Sequence, residues 1–480
     1  MKKTKIVATL GPSTDDPVVL KKMLASGLDV ARINFSHGSY EDHKKRIEGL
    51  RKACEESGTI VALLGDTKGP EIRTGIFEND KVKLASNSVF VLTTDNIIGD
   101  TSRVSISYAG LPSEVKAGDK ILLDDGLLKL VVESVSGNEI TTIVQNGGYI
   151  SNNKGVNVPG VSLQLPFLNE KDRADIKFIL ENDFDILAAS FVRNAEDVME
   201  IKQELTRLGA KRDLRIIAKI ENPEGVVNVD SILDVTDGLM VARGDLGVEM
   251  PFEELPIIQK ELISKAQYRG KEVITATQML ESMINNPRPT RAETSDVANA
   301  IYDGTGSIML SGETTIGKYP QQAVAAMRRI AEKIESSIDY KYKFKKDSHI
   351  PEASITNAIS HAAVTAAHEL NAAAILTVTL GGATARNISK FRPDCPIFAC
   401  TPDPAVARSL KLDWGVYPLL IDEGATETVT LFTYAVKKAS EAGAIKPGDV
   451  VVMTAGVPVG ATGNTNMIKV HEVGGDILIF

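Results

Sequence analysis

The sequence is short of cysteine, of long apolar runs and of positive charge, and each shortage excludes something. Cys54, Cys395 and Cys400 are the only cysteines among 480 residues. They are few and odd in number, and they lack metal-type spacing with the six histidines. This predicts a reduced, cytoplasmic protein rather than a disulfide scaffold. No apolar run approaches the ~20 residues of a membrane span, so no membrane partner is expected. The basic start Met1-Lys2-Lys3-Thr4-Lys5 leads into apolar residues only from Ile6 to Leu10, too few for a secretory signal. Lys and Arg number 54 against 63 Asp and Glu, a net charge of -9, with a pI near 5.4. A general nucleic-acid binder would be basic, so none is expected here. An anionic substrate must then be met by a local cluster of cations. The remainder, 43% hydrophobic and 24% charged, has an ordinary globular balance.

A chain this long predicts two to four domains. Apolar runs bounded by turn residues read as strands at 5–10, 30–36, 60–64, 185–192, 215–222, 238–244, 272–278 and 307–311. Helical patterns follow them, among them 40–56, 170–182, 194–208, 253–269 and 291–302. Eight strand–helix units in ~250 residues predict an α/β fold of the (β/α)8 TIM-barrel kind. Between Glu71 and Leu165 the rhythm changes to short strands with hairpin punctuation. That segment reads as an inserted all-β lid domain, hinged at Lys68-Gly69-Pro70 and Val158-Pro159-Gly160. Residues 340–352 are charged and read as a linker loop. A second α/β rhythm follows, with strands at 373–379, 396–401, 416–421, 449–454 and 467–473 and helices at 354–370, 384–391, 404–411 and 427–442. It predicts a C-terminal α/β open-sheet domain. The expected domains are thus a barrel over 1–69 and 166–345, a lid over 70–165 and a C-terminal domain over 346–480.

Barrel enzymes carry their chemistry at the C-terminal ends of the strands. Those ends here hold Arg32, Asn34, Ser36, Asp66, Thr67, Lys219, Glu221, Asp245, Thr277 and Ser311. In Lys219-Ile220-Glu221 the two charges are two residues apart and face one side of the strand. They could be a buried structural pair, but such pairs stabilise weakly, which favours a working site. Glu221 and Asp245 are two carboxylates with room for substrate oxygens and water, a set that suits magnesium better than calcium. Lys219 reads either as a point charge for a phosphate or carbonyl oxygen or as a Schiff-base lysine. Arg32 and Arg73 are guanidinium forks for phosphate oxygens, or surface ion pairs. Asn34, Ser36, Asp66 and Thr67 form an oxygen-rich cage with one carboxylate, suited to a monovalent cation. The segment Gly312 to Tyr319 nearly matches a P-loop, but Tyr319 stands where magnesium binding needs Ser or Thr. Thr379 to Arg386 follows a strand and opens a helix, a place where backbone amides can hold a phosphate.

The long motifs resemble one family. Ala31 to Gly38 (ARINFSHG), Asp66 to Gly75 (DTKGPEIRTG), Lys154 to Asn157 (KGVN) and Ala218 to Asn222 (AKIEN) look like those of pyruvate kinases, as do Ala242 to Glu249 (ARGDLGVE), Ala276 to Met283 (ATQMLESM) and Leu310 to Glu313 (LSGE). The resemblance implies phosphoryl transfer from phosphoenolpyruvate to ADP, giving pyruvate and ATP in the last step of glycolysis. It implies Mg2+ (or Mn2+) on Glu221 and Asp245, and K+ on Asn34, Ser36, Asp66 and Thr67. Glu71 agrees with potassium, since potassium-independent relatives tend to carry Lys there. Lys219, Arg32 and Thr277 would be the catalytic residues. Substrate would be held by Arg32, Lys219, Gly244, Asp245 and Thr277, and nucleotide by Asn34, His37, Arg73 and Lys154. A homotetramer is implied, and so is a phosphorylated effector near Thr379, Thr384 and Arg386. Some bacterial relatives have a phosphohistidine-like tail domain, whereas this sequence ends at Phe480. The alternative is a barrel-fold enolpyruvate aldolase or lyase using Lys219.

Overall fold

The structure is a computed structural model and describes residues 1–347, 354–421, 428–457 and 465–475. Eight parallel strands close a barrel. They are β1 (Lys5–Thr9), β2 (Val30–Asn34), β3 (Ala62–Asp66), β4 (Ile186–Ala189), β5 (Arg215–Ile220), β6 (Gly238–Ala242), β7 (Glu272–Ala276) and β8 (Ser307–Leu310). Each strand lies beside its predecessor in sequence, and β1 closes on β8, with Lys5 opposite Ser307. The near-continuous apolar runs follow from burial on both faces. Val7, Leu64, Ile217, Met240 and Ile274 fill the interior, while Ile6, Ala8, Leu63, Ile216 and Leu239 meet the surrounding helices.

Helix starts and stops are written locally. Asp16 caps Pro17–Ser26, and Gly27 ends it at φ 103. Ser39 and Asp42 form a capping box on Tyr40–Ser57, and Thr290 with Glu293 does the same for Arg291–Asp303. At Gly65, just before Asp66, a Cβ would come within 2.6 Å of the Ile179 side chain, so the β3 backbone rests directly on that side chain of helix Glu170–Glu181.

The insert leaves the barrel after β3 and returns before Glu170. It is a seven-stranded sheet with a separate two-stranded ribbon, and all but one of its strand pairs are antiparallel. Among the described residues its α-helix is limited to one turn, Leu111–Glu114. It encloses its own apolar core around Phe90, Leu92, Ile121, Leu130 and Ile140. Entry and exit strands pair with each other, Gly155 opposite Arg73 and Val156 opposite Ile72.

The C-terminal domain is a five-stranded sheet in the order Val416–Leu420, Ile397–Thr401, Ala374–Val378, Val450–Ala455, Met467–Glu472, with the last strand antiparallel. Leu412 from this domain joins the residues that fill the barrel interior, and Asp413 accepts from Arg215 of β5 at 2.9 Å. The domain therefore docks at the barrel end opposite the strand termini that carry the polar residues.

The expected loop at 340–352 is wrong over its first part, where Tyr340–Asp347 is a helix. Asp339 accepts from the Tyr342 N–H at 2.9 Å. Tyr340 and Phe344 lie on one face at i, i+4 spacing, and Tyr340 is 6% exposed. The lysines between them hid this apolar stripe. Positions 348–352 of that segment, and position 427 at the start of the expected helix 427–442, lie outside the described residues. No helix among the described residues is long and apolar enough to cross a membrane.

Two glycines give opposite expected outcomes. Gly65→Ala should lower stability by about 1–3 kcal/mol through overpacking against Ile179. Gly49 lies inside helix Tyr40–Ser57, and the place its Cβ would take has no other atom within 4 Å. Gly49→Ala should therefore gain about 0.5–1 kcal/mol. Urea midpoints of the two variants against the parent chain measure both.

Candidate active site

Asp66 ends β3 and is fully buried. Two cations from different strands of the barrel share its carboxylate. Arg32 of β2 donates from Nε to Oδ2 at 2.6 Å, and Lys219 of β5 donates from Nζ to Oδ1 at 3.0 Å. Arg32 is steadied by Nη1 donating to the Thr9 hydroxyl at 2.9 Å. Lys219 also donates to Ser190 Oγ at 2.6 Å and lies 3.0 Å from Glu221 Oε1. Burial opposes ionisation of Asp66, but Arg32 and Lys219 prevail and hold its carboxyl below the usual range. Burial likewise opposes the Lys219 charge, yet Asp66 and Glu221 hold the ammonium protonated above the ordinary lysine range. A Schiff-base lysine needs a neutral amine, so this environment disfavours the aldolase or lyase alternative.

Glu221 follows β5, the strand that carries Lys219, and the two side chains meet on one side of it as the spacing predicts. Its Oε2 accepts the Phe191 N–H at 2.6 Å. Phe191 is in the left-handed region at φ 56, which ends β4 early and turns that N–H inward. Burial pushes the Glu221 carboxyl up to about 8, with Asp245 and Asp66 adding to the effect and Lys219 opposing it. Asp245 does not end a strand, because β6 stops at Ala242 and Asp245 lies in the first turn of helix Arg243–Glu249. Its carboxylate is exposed and has no hydrogen-bond or ion-pair partner among the described residues. A buried carboxyl destabilised by neighbouring anions, beside a solvent-facing carboxylate, is a donor set that fits a divalent cation.

Thr277 follows β7 at φ 68, and Gln278 after it is at φ 53. Consecutive non-glycine residues in this region store backbone strain. Arg243 holds the turn by donating to Thr277 O at 2.7 Å, and is itself braced by Asp296 at 2.6 Å. The Thr277 hydroxyl accepts the Gly244 N–H at 2.8 Å. Thr277, Gly244 and Asp245 are thereby brought together.

A cleft of about 570 Å³ opens between these strand ends and the insert, lined by His37, Arg73, Asp124, Asp125, Lys154 and Asp245. Arg73 contacts Glu71 at 2.6 Å, and Lys154 contacts Asp124 at 2.8 Å. Asn34 Oδ1 accepts from the Ser36 N–H at 3.1 Å, and Thr67 Oγ1 accepts from the Ser190 N–H at 3.3 Å. In the C-terminal domain Arg386 folds back to donate to Gly381 O at 2.7 Å, and Thr384 meets Thr465 at 3.1 Å. Thr379 is buried. The near P-loop is a structural turn, with Glu313 buried and accepting from Leu280 N at 3.0 Å and Ser311 N at 2.8 Å.

Comparison with known proteins identifies the family. The family model of the pyruvate kinase barrel domain matches residues 1–324, and that of the pyruvate kinase alpha/beta domain matches residues 357–471. The chain belongs to the pyruvate kinase family. It is 50% identical over 474 residues to pyruvate kinase of Geobacillus stearothermophilus, covering 98% of this chain and 80% of that one. It is 48% identical over 476 residues to the Sporosarcina psychrophila enzyme, covering 99% and 81%. A crystal structure of a pyruvate kinase from Cryptosporidium parvum superposes with a TM-score of 0.93 at 40% identity, covering 98% of this chain and 96% of that one.

Within this pyruvate kinase fold, Ser190, Thr9, Phe191 and the Arg243–Asp296 brace were not singled out from the sequence. Ser190 had a signal, since it is the polar residue at the end of β4. Ser190 Oγ donates to Thr67 O at 2.7 Å and accepts from Lys219. Removing an acceptor from a buried charge costs roughly 1.5–3 kcal/mol. Ser190→Ala should therefore lower kcat roughly ten- to a hundredfold with an unchanged circular dichroism spectrum. A kcat within twofold of the parent would show that Asp66 and Glu221 fix the ammonium without Ser190.

Proposed function

We propose that this chain transfers the phosphoryl group of phosphoenolpyruvate to ADP, with the cluster around Asp66 as its catalytic centre. The observation that carries this reading is the meeting of Arg32 and Lys219 on one buried carboxylate beside Glu221. Family membership supports the overall reaction. A β-phosphate oxygen of ADP attacks phosphorus, the bond from phosphorus to the enol oxygen breaks, and the enolate takes a proton at carbon to give pyruvate.

A migrating phosphoryl group spreads negative charge over its oxygens, so catalysis is mostly alignment and preorganised positive charge. Arg32 and Lys219 supply that charge in a protein whose net charge is -9. Glu221 and Asp245 would hold Mg2+ or Mn2+, which when bound supplies Lewis-acid stabilisation of the enolate and phosphoryl oxygens. Gly244, Asp245 and Thr277 would seat the substrate carboxylate, and the Thr277 hydroxyl would pass a proton through water. Asn34, His37, Arg73 and Lys154 would meet the nucleotide. The insert over 70–165 would act as the lid that excludes water.

Asn34, Ser36, Asp66 and Thr67 would hold K+. Asp66 is already shared by two cations, which leaves this oxygen set a weak net charge and favours a monovalent ion. A cytoplasmic homotetramer is the assembly that family membership supports. A phosphorylated effector would bind near Thr379, Thr384 and Arg386, displacing the contact of Arg386 with its own loop.

A coupled assay of pyruvate formation tests the reading. Turnover should need phosphoenolpyruvate, ADP and a divalent cation, and should fall at least tenfold when K+ is omitted. Lys219→Met should lower kcat by about three orders of magnitude or more, consistent with loss of several kcal/mol of charge stabilisation, while the melting profile is retained. No turnover by the parent chain refutes the activity. Equal turnover without K+ refutes the potassium cage. An unfolded Lys219→Met would instead support a structural ion pair.

A further inference from the structure

A second cavity of about 430 Å³ lies far from the strand ends, between the barrel helices Leu255–Tyr268 and Arg291–Asp303, the helix Tyr340–Asp347 and the C-terminal domain. Its lining is compositionally unlike the rest of the chain. Five of its thirteen lining residues are aromatic, in a chain that is 5% aromatic with a single tryptophan. That tryptophan, Trp414, forms one wall with Tyr340 and Phe344. Lys343, Lys390 and Arg392 also line it, and no acidic residue does so among the described residues. Lys343 also donates to Tyr302 O at 3.0 Å and Lys390 to Asn357 Oδ1, so both amines are positioned by the fold, and a wall carrying three cations favours an anionic group.

Arg392 is the fixed point. Its guanidinium lies 4.6 Å from the Trp414 ring centroid and donates from Nη2 to Gly304 O at 3.0 Å. Its backbone is in the left-handed region at φ 51, so the side chain projects from a turn rather than along the helix before it. Burial pushes the guanidinium down, with Glu272 opposing. A half-buried cation of this kind, open to the cavity, gains from an added anion. An ammonium group or a metal ion would find no carboxylate on the described walls. Arg392 covers the Trp414 face, Lys3 the Tyr340 face and His361 the Phe344 face, so a flat apolar ring would meet these aromatic walls edge-on, and the volume is within the range of small-molecule sites.

From this geometry we infer that the cavity between barrel and C-terminal domain binds a small ligand consisting of a planar aromatic ring that carries one anionic group, a carboxylate or a phosphate. The ring packs among Trp414, Tyr340 and Phe344. The anionic group faces Arg392, with Lys343 and Lys390 at the rim. This is a site separate from the catalytic cleft and from the loop Thr379–Arg386.

Because Trp414 is the sole tryptophan and is 2% exposed, its fluorescence reports this cavity in the intact protein. Phenyl phosphate, benzoate, cyclohexyl phosphate and inorganic phosphate are titrated in turn. A saturable change with phenyl phosphate or benzoate is expected, at least tenfold tighter than with cyclohexyl phosphate or inorganic phosphate. Whichever aromatic probe binds tighter identifies the head group. Arg392→Met should weaken it at least tenfold. Lys343→Gln, at an exposed position, should weaken it severalfold and covers the case in which Arg392→Met fails to fold. Absence of a saturable change overturns the site, as does equal binding by parent and Lys343→Gln. Inorganic phosphate binding as tightly as phenyl phosphate overturns the aromatic requirement.

Discussion

Two cations are held side by side because one buried carboxylate lies between them. Like charges a few ångströms apart repel by several kcal/mol even at an effective dielectric constant of ~20. Without Asp66, Arg32 and Lys219 could not share the barrel mouth. Asp66 gives one oxygen to each, 2.6 Å from Arg32 and 3.0 Å from Lys219. It sits beside Gly65, where the backbone is pressed against the Ile179 side chain of a helix. The close packing of β3 on that helix therefore fixes the carboxylate, and the carboxylate fixes the cations.

Most of the scaffold was legible because burial on both faces of a closed parallel sheet writes an unmistakable apolar run. The eight strand–helix units and the switch to hairpins after Glu71 follow from periodicity and turn residues alone. What was misread depended on contacts remote in sequence. Tyr340 and Phe344 look like part of a charged linker until the pocket they line is known. Asp245 looks like a strand terminus, but the chain coils one turn earlier. Ser190 obeys the same strand-end rule that found Arg32 and Lys219, and was overlooked because its neighbours Ala189 and Phe191 are apolar. Its importance lies in the hydroxyl bridging Thr67 and Lys219, which no local pattern encodes.

The motif residues also differ in how much their positions say about chemistry. Lys219 and Glu221 were paired correctly from strand geometry, since a two-residue step keeps side chains on one face. The partners that set their charge come from other strands and from the turn at Phe191. Arg73 and Lys154 occupy the cleft as their motifs imply, yet each rests on a neighbouring carboxylate, Glu71 and Asp124. Each of these cleft cations is therefore partly neutralised by its neighbour.

The clasp between the entry and exit strands of the insert has a wider meaning. Because Ile72–Arg73 and Gly155–Asn157 hydrogen-bond to one another, the excursion begins and ends at the same point in space. The barrel thus experiences it as little more than an ordinary connection between its third and fourth strands. With an oil-drop of its own, the module packs around a centre distinct from that of the cylinder beneath it, and the register of the eight staves is set without it.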